Sequence, residues 1–167
     1  MWVKFEELPD HSRLWVYQAS RPLSASDAAE VEASLKTLCE EWKAHGHDLH
    51  ASFLLQHQQF ILLAVDESRE GASGCSIDGS VRYLKEMQSR TGVDFFDRTR
   101  ITFLEGDQVV TYAMNELKQL FADGKLSASS LTFNNAITTK GELKDRWKVA
   151  VEKSWLAKYL PKTTLQD

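Results

Sequence analysis

One continuously apolar run, residues 60–65, constrains the fold more than any other part of this chain. Six apolar residues in succession are too few to cross a membrane, which takes about 20. They are typical of a strand that pairs with neighbours on both sides and is covered on one face. The run therefore predicts a sheet with this strand at its centre.

Strand and helix patterns surround this central strand. Apolar residues at helical spacing predict two helices, one capped by Ser24 and ended by Gly46, the other starting near Ile77 and ended by Gly92. A short polar link before the central strand predicts a hairpin with the strand that precedes it. The further strands are predicted at residues 14–17, 49–55 and 100–104.

The element order β-α-β-β-α-β predicts an α+β fold with a ferredoxin-like antiparallel sheet. In that arrangement the first and third strands lie at the centre of the sheet. We expect one core, shared by the sheet and both helices. Its predicted members are Leu14, Val16, Val31, Leu35, Leu38, Trp42, Leu62, Ala64, Val81 and Leu84.

Two parts of the chain are expected to form one body. Residues 1–104 make up the ferredoxin-like unit, and residues 105–167 form a C-terminal α/β extension. The extension completes a hairpin and continues with a short helix that Gly124 ends. A strand at 131–133 follows, and a last helix begins near Thr139. No flexible linker separates the two parts, so we expect the extension to pack on the first unit.

Charge and cysteine content narrow the function classes. The chain has 20 basic and 24 acidic residues, a formal net charge of −4, so capture of nucleic acid is not expected. Cys39 and Cys75 are too few for a disulfide framework. Acidic residues near the N-terminus stand where a signal peptide would be apolar. We expect a cytoplasmic protein that binds neither nucleic acid nor a membrane.

The densest cluster of small polar residues is the Gly/Ser-rich loop at residues 71–80. This loop joins a strand to a helix, so Cys75 and Ser76 are expected at the helix N-terminus. Free backbone N–H groups and the positive end of the helix dipole make such a place favourable for a small anion. The predicted ligand-binding residues are Asp66, Ser73, Gly74, Cys75, Ser76, Asp78 and Ser80.

Three interpretations of this loop stay open. In the plainest one, Ser76 caps the helix, the glycines allow the turn and Cys75 is a small buried residue. In the second, the loop binds a ligand or a protein partner without catalysis. In the third, the chain is a small enzyme with Cys75 as its nucleophile, because a helix N-terminus activates a thiol. An enzyme needs that thiol exposed in a cleft, whereas a scaffold shows an exposed apolar patch.

Two familiar catalytic patterns are incomplete in this chain. A Walker loop requires G-x-x-x-x-G-K-[ST]. The only Gly-Lys pair, Gly124-Lys125, has Gln119 in place of the first glycine and a leucine after the lysine. Residues 71–75 begin like a G-x-S-x-G nucleophile elbow but end in Cys75. The sequence therefore excludes a P-loop ATPase.

Four histidines lie close together in the sequence, at His45, His47, His50 and His57. Three of them could bind zinc. The first is expected to end a helix and the second to precede a strand, so the set straddles a loop. No cysteine and no H-E-x-x-H spacing accompanies them. We therefore expect solvated loop histidines, with no metal and no cofactor.

Several segments of the chain resemble a known family. They are WVYQ at 15–18, AVDES at 64–68, GASGCSID at 71–78 and FNN at 133–135. With them the full chain is similar to small uncharacterised bacterial proteins that are often labelled "ABC transporter ATPase". That label implies nucleotide hydrolysis, for which the Walker loop is missing here. The resemblance brings no established catalytic residues.

A second resemblance covers residues 101–133. Two strands joined by an EGDQ turn, followed by the segments GKLS and LTF, are similar to the GYF-like modules of bacterial proteins. This similarity implies a peptide-binding or protein-interaction unit. Tyr112-Ala113 replaces the Gly-Pro step usual in those modules, and Phe133 stands where a tryptophan is common.

Overall fold

The computed structural model describes residues 1–162, which group into two compact units. The first unit comprises Met1–Asp97 and Asn135–Lys144, and the second comprises Arg98–Asn134 and residues 145–162. The division falls before the strand predicted at 100–104, because that strand pairs with the strand after it.

The first unit contains both long helices and the centrally predicted strand. Within residues 1–162, no helix is both long and apolar enough to cross a membrane. A single 3-10 turn, Phe5–Glu7, precedes the first strand. The elements that follow are β1 Arg13–Gln18, α1 Ala25–Glu41, β2 Lys43–Ala44, β3 His47–Asp48, β4 His50–Gln56, β5 Phe60–Asp66 and α2 Gly74–Thr91.

The main sheet of the first unit has the order β1-β5-β4, with both pairs antiparallel. The α+β class and the central position of β5 are therefore confirmed. The predicted fourth strand is not part of this sheet. On the edge of β1 that does not pair with β5, Arg13 instead forms a bridge with Thr139. On the same edge, the Leu14 amide donates to the Thr138 carbonyl over 2.8 Å. The ferredoxin-like topology is thus not confirmed.

The second unit is built around a separate antiparallel sheet of order β7-β6-β8-β9. Its core contains Phe103, Leu117, Phe121, Val151 and Leu156. The 3-10 turns of the second unit are Met114–Glu116, Val151–Lys153 and Trp155–Tyr159. Its strands and helix are β6 Arg100–Glu105, β7 Gln108–Ala113, α3 Leu117–Ala122, β8 Leu131–Phe133 and β9 Lys148–Ala150.

The helix predicted near Thr139 is wrong. Lys140–Leu143 is one 3-10 turn in the first unit, and Trp147 comes directly before β9. The amide of Gly141 donates to the Asp10 carbonyl over 2.8 Å. A Cβ added at Gly141 would lie 3.2 Å from that same carbonyl oxygen. This close approach to another part of the chain overrides the helical spacing.

The face of β5 that packs against the helices is opposite to the predicted face. Ile61, Leu63 and Val65 pack with α1 and α2, while Leu62 and Ala64 point to the opposite face. The prediction was one residue out of register because β5 is buried on both faces. Alternation along such a strand carries no information about which face meets the helices.

Helix α1 ends five residues before the predicted stop at Gly46. Trp42 takes an extended conformation and is buried instead of continuing the helix. The chain then turns back through His45 and Gly46, both with positive φ, between β2 and β3. The helix end is therefore set by the burial of a tryptophan, and the glycine serves the hairpin.

Truncating the shared core should destabilise the first unit. Leu35 of α1 and Leu84 of α2 are both fully buried in it. Leu35→Ala and Leu84→Ala should each lower the free energy of unfolding by about 2–5 kcal/mol, measured by urea denaturation. Leu131→Ala is the control, because that side chain is 40% exposed. Equal losses in all three variants would contradict the assigned core.

Candidate functional site

Ser73 is the residue that starts helix α2. Its Oγ accepts a hydrogen bond from the Ser76 amide at 3.1 Å, and its carbonyl accepts from the Ile77 amide. Ser76 was the predicted cap, but it lies inside the first turn and its hydroxyl donates back to the Ser73 carbonyl at 2.8 Å. The first turn of α2 is thus closed by two reciprocal serine contacts.

The last turn of α1 and the first turns of α2 border an open cavity of about 340 Å³. Its walls combine aromatic and aliphatic side chains with one acid, one base, one thiol and one glycine. That composition is typical of sites for small molecules, which are mostly apolar with a few polar groups. The lining residues are Leu38, Glu41, Trp42, Lys43, Cys75, Ser76, Gly79 and Tyr83.

Trp42 holds the two sides of the cavity together. Its indole Nε1 donates a buried hydrogen bond of 2.9 Å to the Ser76 carbonyl. Its ring lies 5.8 Å, centroid to centroid, from the ring of Trp15 on β1. Because a buried indole N–H needs an acceptor, this bond fixes where α1 ends relative to the first turn of α2.

Charged groups at the cavity differ in how far they are already neutralised. The Lys43 ammonium lies 3.5 Å from the Asp48 carboxylate across the β2–β3 hairpin. Glu41 is exposed, and among residues 1–162 its carboxylate has no ion-pair or hydrogen-bond partner. The cavity therefore offers an unpaired carboxylate alongside a lysine that is shared with an acid.

Only two of the predicted ligand-binding residues, Cys75 and Ser76, line the cavity. Asp78 is exposed on the second turn of α2. Ser80 is buried and donates to the Ile77 carbonyl at 2.6 Å. It is also hydrogen-bonded to Tyr17, whose pKa is raised by burial despite this contact. The loop is therefore not one cluster of ligand groups.

Asp66 serves the loop and does not line the cavity. Its carboxylate accepts hydrogen bonds from the amide and the hydroxyl of Ser68. Burial raises the pKa of Asp66, but the Ser68 hydrogen bonds and the neighbouring His11 and His50 bring it below its ordinary value. The adjacent Glu67 accepts from the Ala72 amide at 3.2 Å. Both acids therefore act in holding the loop in place.

The two cysteines differ sharply in environment. Cys75 is exposed on the cavity wall, which corrects the interpretation of it as a small buried residue. Cys39 lies inside the core, and burial raises the pKa of its thiol to about 12. Only Cys75 is placed to meet a reagent or a ligand.

The four histidines do not converge. His45 and His47 lie in the β2–β3 hairpin, His50 begins β4, and His57 lies in the turn at the far end of β4. Within the described chain, no three His, Cys, Asp or Glu side chains are placed to hold a metal ion. His45 also does not end a helix, because α1 stops at Glu41.

Sequence reasoning missed most of the cavity. Trp42 and Leu38 were assigned to the core, and the hydrogen bond of the indole was not foreseeable from spacing. Gly79 was the one available signal, because a glycine inside a helix is unfavourable unless something requires it. A Cβ there would meet only the Arg82 side chain, at 3.9 Å.

No family model matches the chain, and no curated protein or solved structure matches it either. The two resemblances seen in the sequence therefore stay predictions. The residues and their geometry alone carry the functional argument.

Removing the cap of α2 should loosen the cavity wall. Ser73→Ala should lower the free energy of unfolding by about 1 kcal/mol, because the Ser76 amide loses its acceptor. Ser73→Asp should keep the stability, since a carboxylate also accepts this bond and suits the helix dipole. Urea denaturation measures both. A loss for aspartate as large as that for alanine would contradict the capping role.

The thiols should react at very different rates. In the native protein, iodoacetamide should alkylate Cys75 at least roughly tenfold faster than Cys39, because only Cys75 is exposed. Mass spectrometry of digested samples at successive times gives both rates. In urea the two rates should become similar. Equal rates in the native protein would show that Cys75 does not line an accessible surface.

Proposed function

We propose that this chain is a non-enzymatic binding protein for a small molecule, and that the cavity between α1 and α2 is its site. The observation that carries the proposal is the convergence of Trp42, Tyr83, Glu41 and Cys75 on one cavity of about 340 Å³. A concave site with aromatic walls and a few polar groups is the usual form of a ligand pocket.

The loop at residues 71–80 contributes to this function through the first turn of α2. Cys75 and Ser76 supply part of the wall, and Ser73 supports it from behind. The amides of Gly74 and Cys75 at the helix start favour an anionic group. A small anion is therefore one ligand that the proposal includes. Two free thiols suit a reducing compartment, so a cytoplasmic location belongs to the same proposal.

Two other functions have an observation in their favour. An exposed Cys75 on a cavity wall supports the enzyme alternative, in which the thiol is a nucleophile and Glu41 or Lys43 exchanges protons. In the second unit, Trp155 is 51% exposed, with the Lys158 ammonium 5.2 Å from its ring centroid. Tryptophan is enriched at protein interfaces, so this exposed ring supports binding of a protein partner.

Filling the cavity should abolish binding without harming the fold. Gly79 lines the cavity inside α2, so Gly79→Leu places a side chain where a ligand would lie. Phenol is the probe, and the indole N–H signal of Trp42 in 1H–15N spectra reports its binding. We expect saturable shifts in the native protein and none with Gly79→Leu.

Gly79→Ala is the matched control for that variant. Alanine adds one methyl group and should retain phenol binding, while it raises the free energy of unfolding by up to about 1 kcal/mol through helix propensity. If Gly79→Leu binds phenol as tightly as the native protein, then phenol binds outside this cavity.

An acyl ester separates binding from catalysis. With p-nitrophenyl acetate, the Cys75 thiolate would take the acetyl group as a thioester and release p-nitrophenolate; an enzyme would then hydrolyse the thioester with water and repeat the cycle. The proposal predicts release of no more than one equivalent, followed spectrophotometrically. Continued release of p-nitrophenolate by the native protein, and its loss in Cys75→Ser, would contradict the binding proposal and support the enzyme alternative.

A further inference from the structure

The polar groups of the cavity wall are mostly engaged by the protein itself. Trp42 Nε1 donates to the Ser76 carbonyl, and the Ser76 hydroxyl donates to the Ser73 carbonyl. The Lys43 ammonium is shared with Asp48. Among residues 1–162, the Glu41 carboxylate has no such partner. The charge that the wall leaves for a ligand is therefore negative.

The Glu41 carboxylate lies at the C-terminal end of α1. Leu38 and Glu41 belong to the last turn of α1. The negative end of this helix already has a cation, because the Met1 ammonium donates to the Cys39 carbonyl over 3.0 Å. A ligand cation is therefore attracted by the Glu41 carboxylate and not by an open helix end. Lys43 follows the helix but already faces the acid of its hairpin.

Aromatic and aliphatic side chains line the same cavity as Glu41. Trp42 and Tyr83 supply aromatic rings, and Leu38 supplies an aliphatic wall. Aromatic faces attract ammonium and guanidinium groups, most strongly where water is displaced. The wall thus combines the two features that favour an organic cation over a hydrated metal ion.

We propose that the cavity binds a small organic cation, namely an ammonium or guanidinium group on an apolar body. The charged group lies beside Glu41, and the apolar body lies against Leu38, Tyr83 and the backbone of Gly79. This inference rests on the proposed function, because it names the ligand class of the same cavity. The first turn of α2 also lines the cavity, and Ser73 already caps its positive end.

Three probes of nearly equal shape test the charge preference. They are cyclohexylammonium, neutral cyclohexanol and cyclohexanecarboxylate, each titrated into the full chain while the Trp42 indole signal is followed. The cation should bind about tenfold more tightly than the other two. The reason is that its charged group contacts an aromatic ring and a carboxylate at a site partly shielded from water. Tighter binding of the carboxylate would overturn the inference in favour of the anion at the start of α2.

Two variants, each of which removes one negative charge, test which residue causes the preference for the cation. Glu41→Gln should reduce the cation to the affinity of cyclohexanol, while Glu40→Gln, which alters an exposed acid outside the cavity, should leave the tenfold preference intact. A preference that persists in Glu41→Gln would overturn the inference.

The remaining outcomes separate this inference from the proposed function. If all three probes bind equally and Gly79→Leu abolishes their binding, the ligand class is wrong and the site stands. If the cation binds tightly but Gly79→Leu does not weaken it, the cation binds elsewhere and both proposals fail. If none of the probes binds the native protein, the cavity is not a ligand site and both also fail.

Discussion

The hydrogen bond from the Trp42 indole to the Ser76 carbonyl is the contact on which the site depends. It joins residues 34 positions apart and links the end of α1 to the first turn of α2. Without it, the buried indole N–H would lose its acceptor. Trp42 also ends α1, because its extended backbone turns the side chain into the core. One side chain therefore sets both the length of a helix and the width of the cavity.

Local rules predicted much of the first unit. Ser24 caps α1 through a hydrogen bond from the Asp27 amide, and Gly92 ends α2 in the left-handed conformation that favours glycine. The hairpin of β4 and β5 was also predictable, because two apolar strands flank a short polar link. In each case the determinants lie within a few residues of one another in the chain.

Tertiary contacts decided what these rules could not predict. The fourth predicted strand has the right secondary structure, but it pairs with β7 and β8, and nothing in its own sequence selects that partner. The inner face of β5 was assigned wrongly because Ile61 and Leu62 are equally apolar and equally buried. The sequence around Gly141 is compatible with a helix, but the close approach of Gly141 to Asp10 is a tertiary contact that the sequence does not reveal.

The candidate site was predicted in part, for a similar reason. The sequence drew attention to the loop before α2, and two of its residues, Cys75 and Ser76, do line the cavity. The other half of the wall comes from the end of α1, where Trp42 and Leu38 have the spacing of ordinary core residues. A cavity shared by two helices leaves no contiguous pattern in the sequence, so only the structure brings its acid, thiol and aromatic rings together.

Intermolecular nuclear Overhauser effects with bound cyclohexylammonium would show where the ligand lies on the protein. We expect contacts from the cyclohexyl protons to the Leu38 methyl groups and the Tyr83 ring, both on the cavity wall. Contacts confined to the exposed ring of Trp155 and the half-buried ring of Tyr159 in the second unit would contradict the proposed site, because the ligand would then lie outside the cavity.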